Sequence, residues 1–464
     1  MRKIEAEQKL PSEATEVLAD FVCDFSLDDA PSDLAGAARY CVLDTVGSAL
    51  GAVHFDDMPG LVEELSGWSQ PAAGRGASIW GYGKKIDVAT AVLLNGCMNH
   101  VLEFDDNHSP SKSHPGGVCV PSAWAVAEAV GATGRDLLEA VVVGYEVMGR
   151  VGKSADVVSM RKRGWHNTGI IGPFGSAAAV GRLLGLSREQ LVSAFGLAGT
   201  QSAGLWAFLA EGASCKKLNC AKGAVNGTLS AMLAKGGMTG PKRVLDAKDG
   251  GLYPAVADSY DMKSVTEGLG EHYEIMRIDK KPYPSCRSTH PSIDAALLLK
   301  RKCGIDPKKV EHVVVDTYEV AVMQCGFTNY PCNAVEAKFS IPFVTAACFV
   351  AGKLGLDEFK RNMLDNPEVR RIAEKTVVRE DKLFTDRYRL PRWGCRMTVT
   401  MKDGSSFTEQ IDDTSGGLEA PMTREQEREK FVGLALQAYP QERVEKVMDE
   451  ILRIDTLERL PDLA

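Results

Sequence analysis

The stretch VLEFDDNHSPSKSHPGGVCVPSAWAVAE, residues 101–128, places acids, histidines and a Pro-Gly-Gly turn between two apolar helical patterns. Upstream, Asp87 is expected to cap a helix that reaches Val101. Downstream, Pro121 is expected to begin a second apolar helix that stops at Gly131. A solvated acidic turn is the alternative. A purely connecting loop rarely carries so many titratable groups, because each costs free energy when it is desolvated.

Length and composition are those of an ordinary soluble globular protein. The chain has 464 residues, enough for about two or three domains, with 44% hydrophobic and 25% charged residues. A net charge of −8 argues against nucleic acid or an anionic membrane as the main partner, although a local pocket can still be basic. No run of about 18 apolar residues occurs, so no transmembrane helix is expected.

The N-terminus and the cysteines indicate a cytoplasmic protein. The first residues, MRKIEAEQKLPSEATE, are polar and acidic, unlike a secretory signal. The 12 cysteines are scattered without CxxC pairs, so we expect buried thiols in a reducing compartment. The same scatter provides neither a four-ligand zinc pattern nor an iron–sulfur set.

Helical patterns fill the first half of the chain. Apolar residues recur every three or four positions from Ala14 to Gly51, and the Gly- and Pro-rich residues 70–86 predict a turn or small hairpin. After the central loop, segments rich in Gly and Ala predict closely packed helices to about residue 240. These glycines do not predict a dinucleotide site, because GPFG at 172–175 is not GxGxxG and no strand precedes it.

After the helical segments, the sequence changes to alternating apolar and polar residues. HYEIMRID at 272–279 and VEHVVVDTYEVAV at 310–322 alternate apolar and polar residues and predict half-buried strands. Asp403-Gly404, between two further alternating runs, predicts a β-hairpin. Helical segments lie among these strands, so residues 266–412 are expected to form a separate α+β domain. The tail returns to a helical pattern that can pack back on the first domain.

Reactive side chains occur next to glycine or proline in several further segments. They are His166 in RGWHNTGIIGPFG, Lys216 and Lys217 in EGASCKKLNCAKGAVNG, Asn107 among the central acids, and Lys280, Lys281, Cys286, Arg287 and His290 in KKPYPSCRSTHPSID. A histidine before a helix is commonly a cap, and lysine pairs are usually solvated. Taken singly, none of these residues predicts a catalytic site.

Four motifs in register along the chain resemble those of one family. NHVLEFDD with SHPGG, GWHNTGIIGPFGSAAA, CKKLNCAKGAVNG and KPYPSCRSTHPSIDAAL, in this order, resemble the MmgE/PrpD family. The resemblance runs from CVLDTVGSALGA to the C-terminal helical patterns. The family includes dehydratases, decarboxylases and epimerases of polycarboxylates, so the resemblance leaves the reaction open.

The resemblance implies a mainly α fold with two domains. Residues 1–265 and 413–464 would form a large all-helical domain, and residues 266–412 a smaller α+β domain. It also implies a homodimer that needs no metal and no organic cofactor, with the active site in the cleft between the domains.

Mapping by motif, the resemblance implies catalytic roles for four residues: His114, His166, Lys216 and Lys281. Asp105 or Asp106 can orient an imidazole and fix its tautomer. Substrate-binding roles are expected for six more: Glu103, Asn107, His108, Cys286, Arg287 and His290. Relative to decarboxylases of the family, Glu103 replaces Asp, the loop from Asp106 to His114 is one residue longer, and Cys286 replaces a histidine. These departures favour a reaction other than decarboxylation.

The residue types suit proton transfer on a polycarboxylate. Lys216, Lys281 and Arg287 can pair with carboxylates, which makes the adjacent C–H more acidic. We expect His114 to be the base, because the Pro-Gly-Gly turn fixes its backbone. Dehydration of a 2-methylcitrate-like hydroxy-polycarboxylate is the leading hypothesis. Decarboxylation of a cis-aconitate-type acid, iminodisuccinate-type epimerisation and non-catalytic binding are the alternatives.

Metal-free chemistry is expected as well. The cysteines are scattered, and closely spaced His and Asp residues occur together in the central loop alone. His108 and His114 with Asp105 are the one exception that could bind a metal.

Overall fold

Helices dominate the computed structural model, which describes residues 14–71, 74–327 and 329–464. Residues 1–13 of the polar N-terminal segment lie outside this part of the chain. None of the described helices combines the length and the hydropathy needed to span a bilayer.

Twelve α-helices precede residue 270 in the described chain. They are α1 (Ala14–Asp24), α2 (Leu34–Leu50), α3 (Met58–Trp68), α4 (Val88–Val101), α5 (Gly116–Val130), α6 (Gly134–Lys153), α7 (Val157–Lys162), α8 (Asn167–Leu183), α9 (Arg188–Thr200), α10 (Lys216–Lys235), α11 (Leu252–Val256) and α12 (Lys263–Thr266). Two short antiparallel pairs join them: β1 (Ala77–Ile79) with β2 (Lys84–Ile86), and β3 (Asn107–His108) with β4 (Ile278–Asp279). The hairpin expected within residues 70–86 is therefore present.

The remaining helices alternate with a four-stranded sheet. The helices are α13 (His290–Cys303), α14 (Glu319–Cys325), α15 (Ala334–Lys338), α16 (Ile341–Ala351), α17 (Arg361–Leu364), α18 (Pro367–Glu374), α19 (Lys382–Arg389), α20 (Arg424–Ala435) and α21 (Gln441–Leu452). The strands are β5 (Val310–Thr317), β6 (Thr376–Glu380), β7 (Cys395–Met401) and β8 (Ser406–Ile411). Their order is β6-β5-β7-β8, with β5 and β6 parallel and the other pairs antiparallel.

Buried apolar side chains form two clusters. The first cluster contains side chains of α1, α2, α4–α6 and α8–α10, together with Phe431, Val444 and Ile451 from the C-terminal helices. The second contains side chains of α13, α14, α16, α18 and the sheet, together with Phe208. The tail helices α20 and α21 thus bury their apolar face against helices from the beginning of the chain.

The two helices that flank the central loop are anchored by specific contacts. Asp87 caps α4, since its side chain accepts a hydrogen bond from the Thr90 backbone N–H. The other helix, α5, begins at Gly116 and not at Pro121, which lies inside it. A Cβ on Gly117 would stand 2.3 Å from Asn99 Oδ1, so glycine is required where α5 begins against α4. The expected stop at Gly131 is present, with a positive φ of 71°.

Two strand predictions need correction. Within 272–279, Ile278 and Asp279 alone form a strand, because residues 274–277 make a 3-10 turn that buries the Glu274 side chain. Within 310–322, the strand ends at Thr317 and α14 begins at Glu319. The β7–β8 hairpin around Gly404, whose φ is 86°, confirms the turn prediction.

Candidate active site

A cavity of about 60 Å³ lies between side chains packed with the first cluster and side chains packed with the second. The central loop, α8 and α10 supply one wall. The segment after Ser285, α14 and the residues around α19 supply the other. Its lining includes Glu103, Asn107, Lys112, His114, Arg161, His166, Trp206, Lys216, Cys286, Arg287, Phe339, Tyr388 and Trp393.

A buried hydrogen-bond network at the end of α4 lies beneath the cavity. His100, in the last turn, contacts Asp105 Oδ2 through Nδ1 at 2.6 Å and receives a hydrogen bond at Nε2 from Lys216 Nζ at 2.9 Å. Lys216 also donates to Glu103 Oε1 at 2.5 Å. Glu103 has a positive φ of 56°, a conformation that L-residues adopt at an energetic cost. Burial raises the pKa of Glu103, but Lys216, Lys281 and His100 together lower it to about 2.

His114 is held in one tautomer by the backbone. Its Nδ1 lies 2.7 Å from the carbonyl oxygen of Asp106, which can only accept, so Nδ1 carries the proton and Nε2 carries a lone pair. Burial lowers the pKa of His114 to about 3, although Asp105 acts in the opposite direction. The ring is therefore neutral at pH 7. It lines the cavity and is suited to accept a proton through Nε2.

His166 stands at the N-terminus of α8 and is also uncharged. Burial, followed by the nearby Lys216, holds its pKa well below the ordinary value. Its ring lies 5.5 Å from Trp206 and 6.1 Å from His100 between centroids. Nδ1 is buried without a hydrogen-bond partner among the described residues. A second neutral imidazole thus lines the same cavity.

The two central aspartates have different positions. Asp105 lies behind His100 and His114, 3.5 Å from His114 Nδ1. Burial raises its pKa, but His100 and His114 outweigh this effect and hold it well below the ordinary value. Asp106 points away from the cavity, accepting hydrogen bonds from Gly116 N at 3.0 Å and the Tyr145 hydroxyl at 2.8 Å. It anchors the start of α5, and burial raises its pKa to about 6.

Lys281 does not reach the cavity wall. It is fully buried, donates to the Glu103 carbonyl at 3.0 Å, and lies 3.6–3.7 Å from carboxylate oxygens of Asp105 and Glu103. Its charge is thus balanced by two carboxylates behind the wall. This placement disagrees with the expectation that Lys281 pairs directly with a substrate carboxylate.

Of the six residues expected to bind substrate, four line the cavity. These are Glu103, Asn107, Cys286 and Arg287. Cys286 has a pKa lowered to about 7, chiefly by a hydrogen bond with Cys325 against the effect of burial.

His108 and His290, both expected to bind substrate, lie outside the lining of this cavity. His108 bonds Ser111 at 2.8 Å and Glu274 at 2.9 Å. His290 contacts Arg287 Nη1 at 3.1 Å and the Ser285 carbonyl at 3.3 Å. Both rings use both nitrogens within buried protein networks, which leaves no ring nitrogen for a ligand.

Several residues that line the cavity or lie directly beneath it were not recognised in the sequence. His100 lies in the NHVLEFDD motif, and its position three residues before Glu103 in a helical pattern could have indicated it. Lys112 lies in the central loop but in no motif that suggests a function. Arg161 stacks on Trp206 at 4.0 Å, and both come from segments without a reactive cluster. Their proximity depends on the packing of distant segments.

The lining is strongly cationic for an acidic protein. Among its described residues, Lys112, Arg161, Lys216 and Arg287 are basic, and Glu103 is the one acid. This surplus fits a ligand with two or three carboxylates.

One group of donor atoms has the spacing of a metal site. The ligand atoms of His100, Asp105 and His114 lie within 4.8 Å of one another. His108, expected in this set, is not part of it. The residues fit a metal poorly, because His114 Nδ1 carries a proton toward the Asp106 carbonyl and the Lys281 ammonium lies 3.6 Å from Asp105.

Sequence comparisons match most of the chain to one family. The profile of the MmgE/PrpD N-terminal domain matches residues 16–264, and that of the MmgE/PrpD C-terminal domain matches residues 283–454. A cis-aconitate decarboxylase of Aspergillus terreus is 27% identical, over 98% of this chain and 96% of the relative. Human cis-aconitate decarboxylase is 27% identical, over 82% and 80%.

A 2-methylcitrate dehydratase of Salmonella typhimurium is 24% identical, over 91% of this chain and 90% of the relative. Relatives named for either of the two activities thus match most of this chain. Both family profiles together cover most of the sequence, and this chain therefore belongs to the MmgE/PrpD family.

Proposed function

We propose that this protein is a cofactor-independent lyase that removes water from a small hydroxy-polycarboxylate of the 2-methylcitrate type. The observation that carries the proposal is His114, a neutral imidazole whose Nε2 carries a lone pair and whose side chain lines a cavity with four basic side chains. A base suits dehydration, which begins with removal of a proton from carbon.

The residues of the cavity wall can supply both proton transfers that the elimination of water requires. Cations pair with the carboxylate next to the reacting carbon and stabilise the charge that develops as His114 takes the proton. The C–O bond breaks as the C=C bond forms, and the leaving hydroxide takes a proton to depart as water. Cys286, whose pKa is about 7, can supply that proton from the opposite wall. Solvent exchange then returns both groups to their starting states.

The division into two domains is part of the proposal. We assign residues 1–265 and 413–464 to a helical domain and residues 266–412 to an α+β domain. The two hydrophobic clusters and the return of α20 and α21 to the first cluster support this division. The active site would then lie in the cleft between the domains.

A cytoplasmic homodimer is also proposed. Apolar side chains are exposed along α10 and just beyond it: Leu218, Leu229, Met232, Leu233 and Met238. An apolar helix face of this kind suits a symmetric contact between two copies. Light scattering should give about twice the chain mass of 50.1 kDa, and a value near 50 kDa would contradict the dimer.

Decarboxylation of a cis-aconitate-type acid is the second candidate. It is favoured by one observation: relatives named cis-aconitate decarboxylase match up to 98% of the chain at 27% identity, against 91% at 24% for a dehydratase. This reaction needs a proton donor at carbon after CO₂ leaves. Cys286 can also fill that role.

Incubation with 2-methylcitrate, citrate, cis-aconitate and iminodisuccinate tests these candidates. Dehydration should produce a conjugated double bond visible in the ultraviolet without CO₂ release. CO₂ release from cis-aconitate would replace the proposal with the second candidate, and inversion of iminodisuccinate would indicate an epimerase. Binding of these acids without turnover would indicate a non-catalytic homologue.

A further inference from the structure

The ammonium of Lys112 is a buried cation without a hydrogen-bond partner among the described residues. Its Nζ lies 3.9 Å from the ring centroid of Tyr388 and 4.1 Å from that of Trp393. Both rings and Lys112 line the candidate active site. The nitrogen is therefore held against two aromatic faces, in a side chain that lines the cavity.

The other basic side chains of the wall already have polar partners. Lys216 is bonded to Glu103 at 2.5 Å, and Arg161 donates to the Gln324 side-chain oxygen at 3.3 Å. Arg287 donates to Asp279 at 3.2 Å. Lys112 differs from all three, since cation–π contacts satisfy an ammonium only in part.

The backbone at Lys112 is also strained. Its φ is 52°, in the left-handed region that costs a non-glycine residue about 1–2 kcal/mol. Glu103, with a φ of 56°, lines the same cavity. Positive φ at two lining residues is typical of sites where binding geometry, and not folding, selects the conformation.

The electrostatic surroundings favour an incoming anion. Burial lowers the pKa of Lys112 to about 7, Asp279 raises it, and Arg287 lowers it further. Asp279 is already occupied, accepting hydrogen bonds from Ser109 Oγ at 2.6 Å and from Arg287. Arg287 Nη2 is itself buried without a partner. This end of the cavity thus has two incompletely paired basic side chains, with Lys112 partly protonated at pH 7, and no free carboxylate among its described residues.

We propose that Lys112 is a specificity-determining residue that binds one carboxylate of a tricarboxylate substrate. The inference rests on the proposed function and adds the residue that recognises one of the three carboxylates. A carboxylate placed against Lys112 would supply the missing hydrogen-bond acceptor and offset the desolvation of the ammonium. A dicarboxylate that lacks this group would leave Lys112 unpaired and lose the corresponding free energy.

A ligand pair isolates this contribution. Calorimetric titration of the full-length protein with tricarballylate and with glutarate compares three carboxylates with two, and neither acid carries a hydroxyl that could be eliminated. Lys112→Met keeps the length and the packing against Tyr388 and Trp393 while removing the charge. A charge-assisted hydrogen bond contributes about 1.5–3 kcal/mol, so tricarballylate should bind about 10–100-fold more weakly. Glutarate affinity should stay within about twofold.

Lys162→Met is the matched control. Lys162 follows Arg161 in α7, but its ammonium pairs with Glu319 at 2.7 Å and its side chain is 46% exposed. Removing this charge should leave both affinities unchanged. Thermal unfolding of Lys112→Met without ligand should occur no lower than in wild type, because the lost cation has no partner to leave unpaired. Lys112→Gln provides a second variant if methionine prevents folding.

The outcomes separate the inference from the proposed function. Unchanged tricarballylate affinity in Lys112→Met, or equal weakening of both ligands with a lower unfolding temperature, overturns the role of Lys112 alone. Failure of wild type to bind either acid overturns the proposed function and this inference together. Selective weakening of tricarballylate supports both.

Discussion

The cavity wall and the layer directly behind it contain the same residue types in different states. In the wall, His114 keeps one ring nitrogen unprotonated, and Lys112 has no hydrogen-bond partner in the described part of the chain. Behind it, His108 uses both ring nitrogens and Lys281 lies between two carboxylates. A motif therefore identifies the region, but the partners of each side chain decide whether it acts on substrate or on stability. Substitutions in the two layers should have different effects.

Lys281→Met should have the largest effect, on folding. The change leaves Glu103 and Asp105 buried with less compensating charge, and breaking a buried ion pair costs about 3–5 kcal/mol. Chemical denaturation should show this loss of the free energy of unfolding. If activity falls while stability is unchanged, Lys281 acts on substrate and the division into two layers is wrong at this residue.

His114→Gln should come next, and its effect should be kinetic. Loss of a general base lowers kcat by about 100-fold or more, with little change in KM. Steady-state kinetics on the substrate identified in the panel measures both parameters, and the free energy of unfolding at pH 7 provides the control. A raised KM with an intact kcat would make His114 a binding residue instead.

His108→Gln is the matching substitution in the layer directly behind the wall. Glu274 and Ser111 would lose hydrogen bonds in a buried site, which costs about 1–3 kcal/mol of stability. Because His108 does not line the cavity, kcat should stay within about threefold of wild type, measured well below the unfolding temperature. A large fall in kcat in a stable variant would contradict its placement.

Local patterns predicted much of the fold. The amphipathic repeats indicated α2, α4 and the tail helices, and Asp403-Gly404 indicated the β7–β8 hairpin. Strand β6 was missed, because it pairs in parallel with β5 at Val313 and Thr376, far apart in the chain. No local signal specifies such a pairing.

Site residues could be predicted where reactive side chains are close together in the sequence. His114, His166 and Lys216 were selected from motifs, and all three line the candidate cavity. Lys281 was found in the same way, but the direction of its ammonium depends on Glu103 and Asp105, about 180 residues away. Arg161 and Tyr388 were missed because only tertiary packing brings them to the cavity.

The smallest expected effect is a difference in acid stability between wild type and His114→Gln. Burial lowers the folded-state pKa of His114 to about 3, while the unfolded value is about 6.5. Between these values the unfolded chain binds the proton and the folded one does not, so this histidine makes stability fall as pH falls. From pH 6.5 to 5.5 this histidine lowers the free energy of unfolding by about 1 kcal/mol. Glutamine does not titrate and makes no such contribution.

Denaturant titrations of both proteins at pH 6.5 and 5.5 measure this difference. The comparison with His114→Gln cancels the contributions of His166 and His290 to the pH dependence of stability. Burial lowers the pKa values of these two histidines in the same direction. It also cancels Asp106, whose raised pKa of about 6 acts in the opposite direction. Wild type should lose about 1 kcal/mol more than the variant on acidification. Equal losses would mean that His114 titrates normally in the folded protein, and its neutrality could no longer support a role as the base.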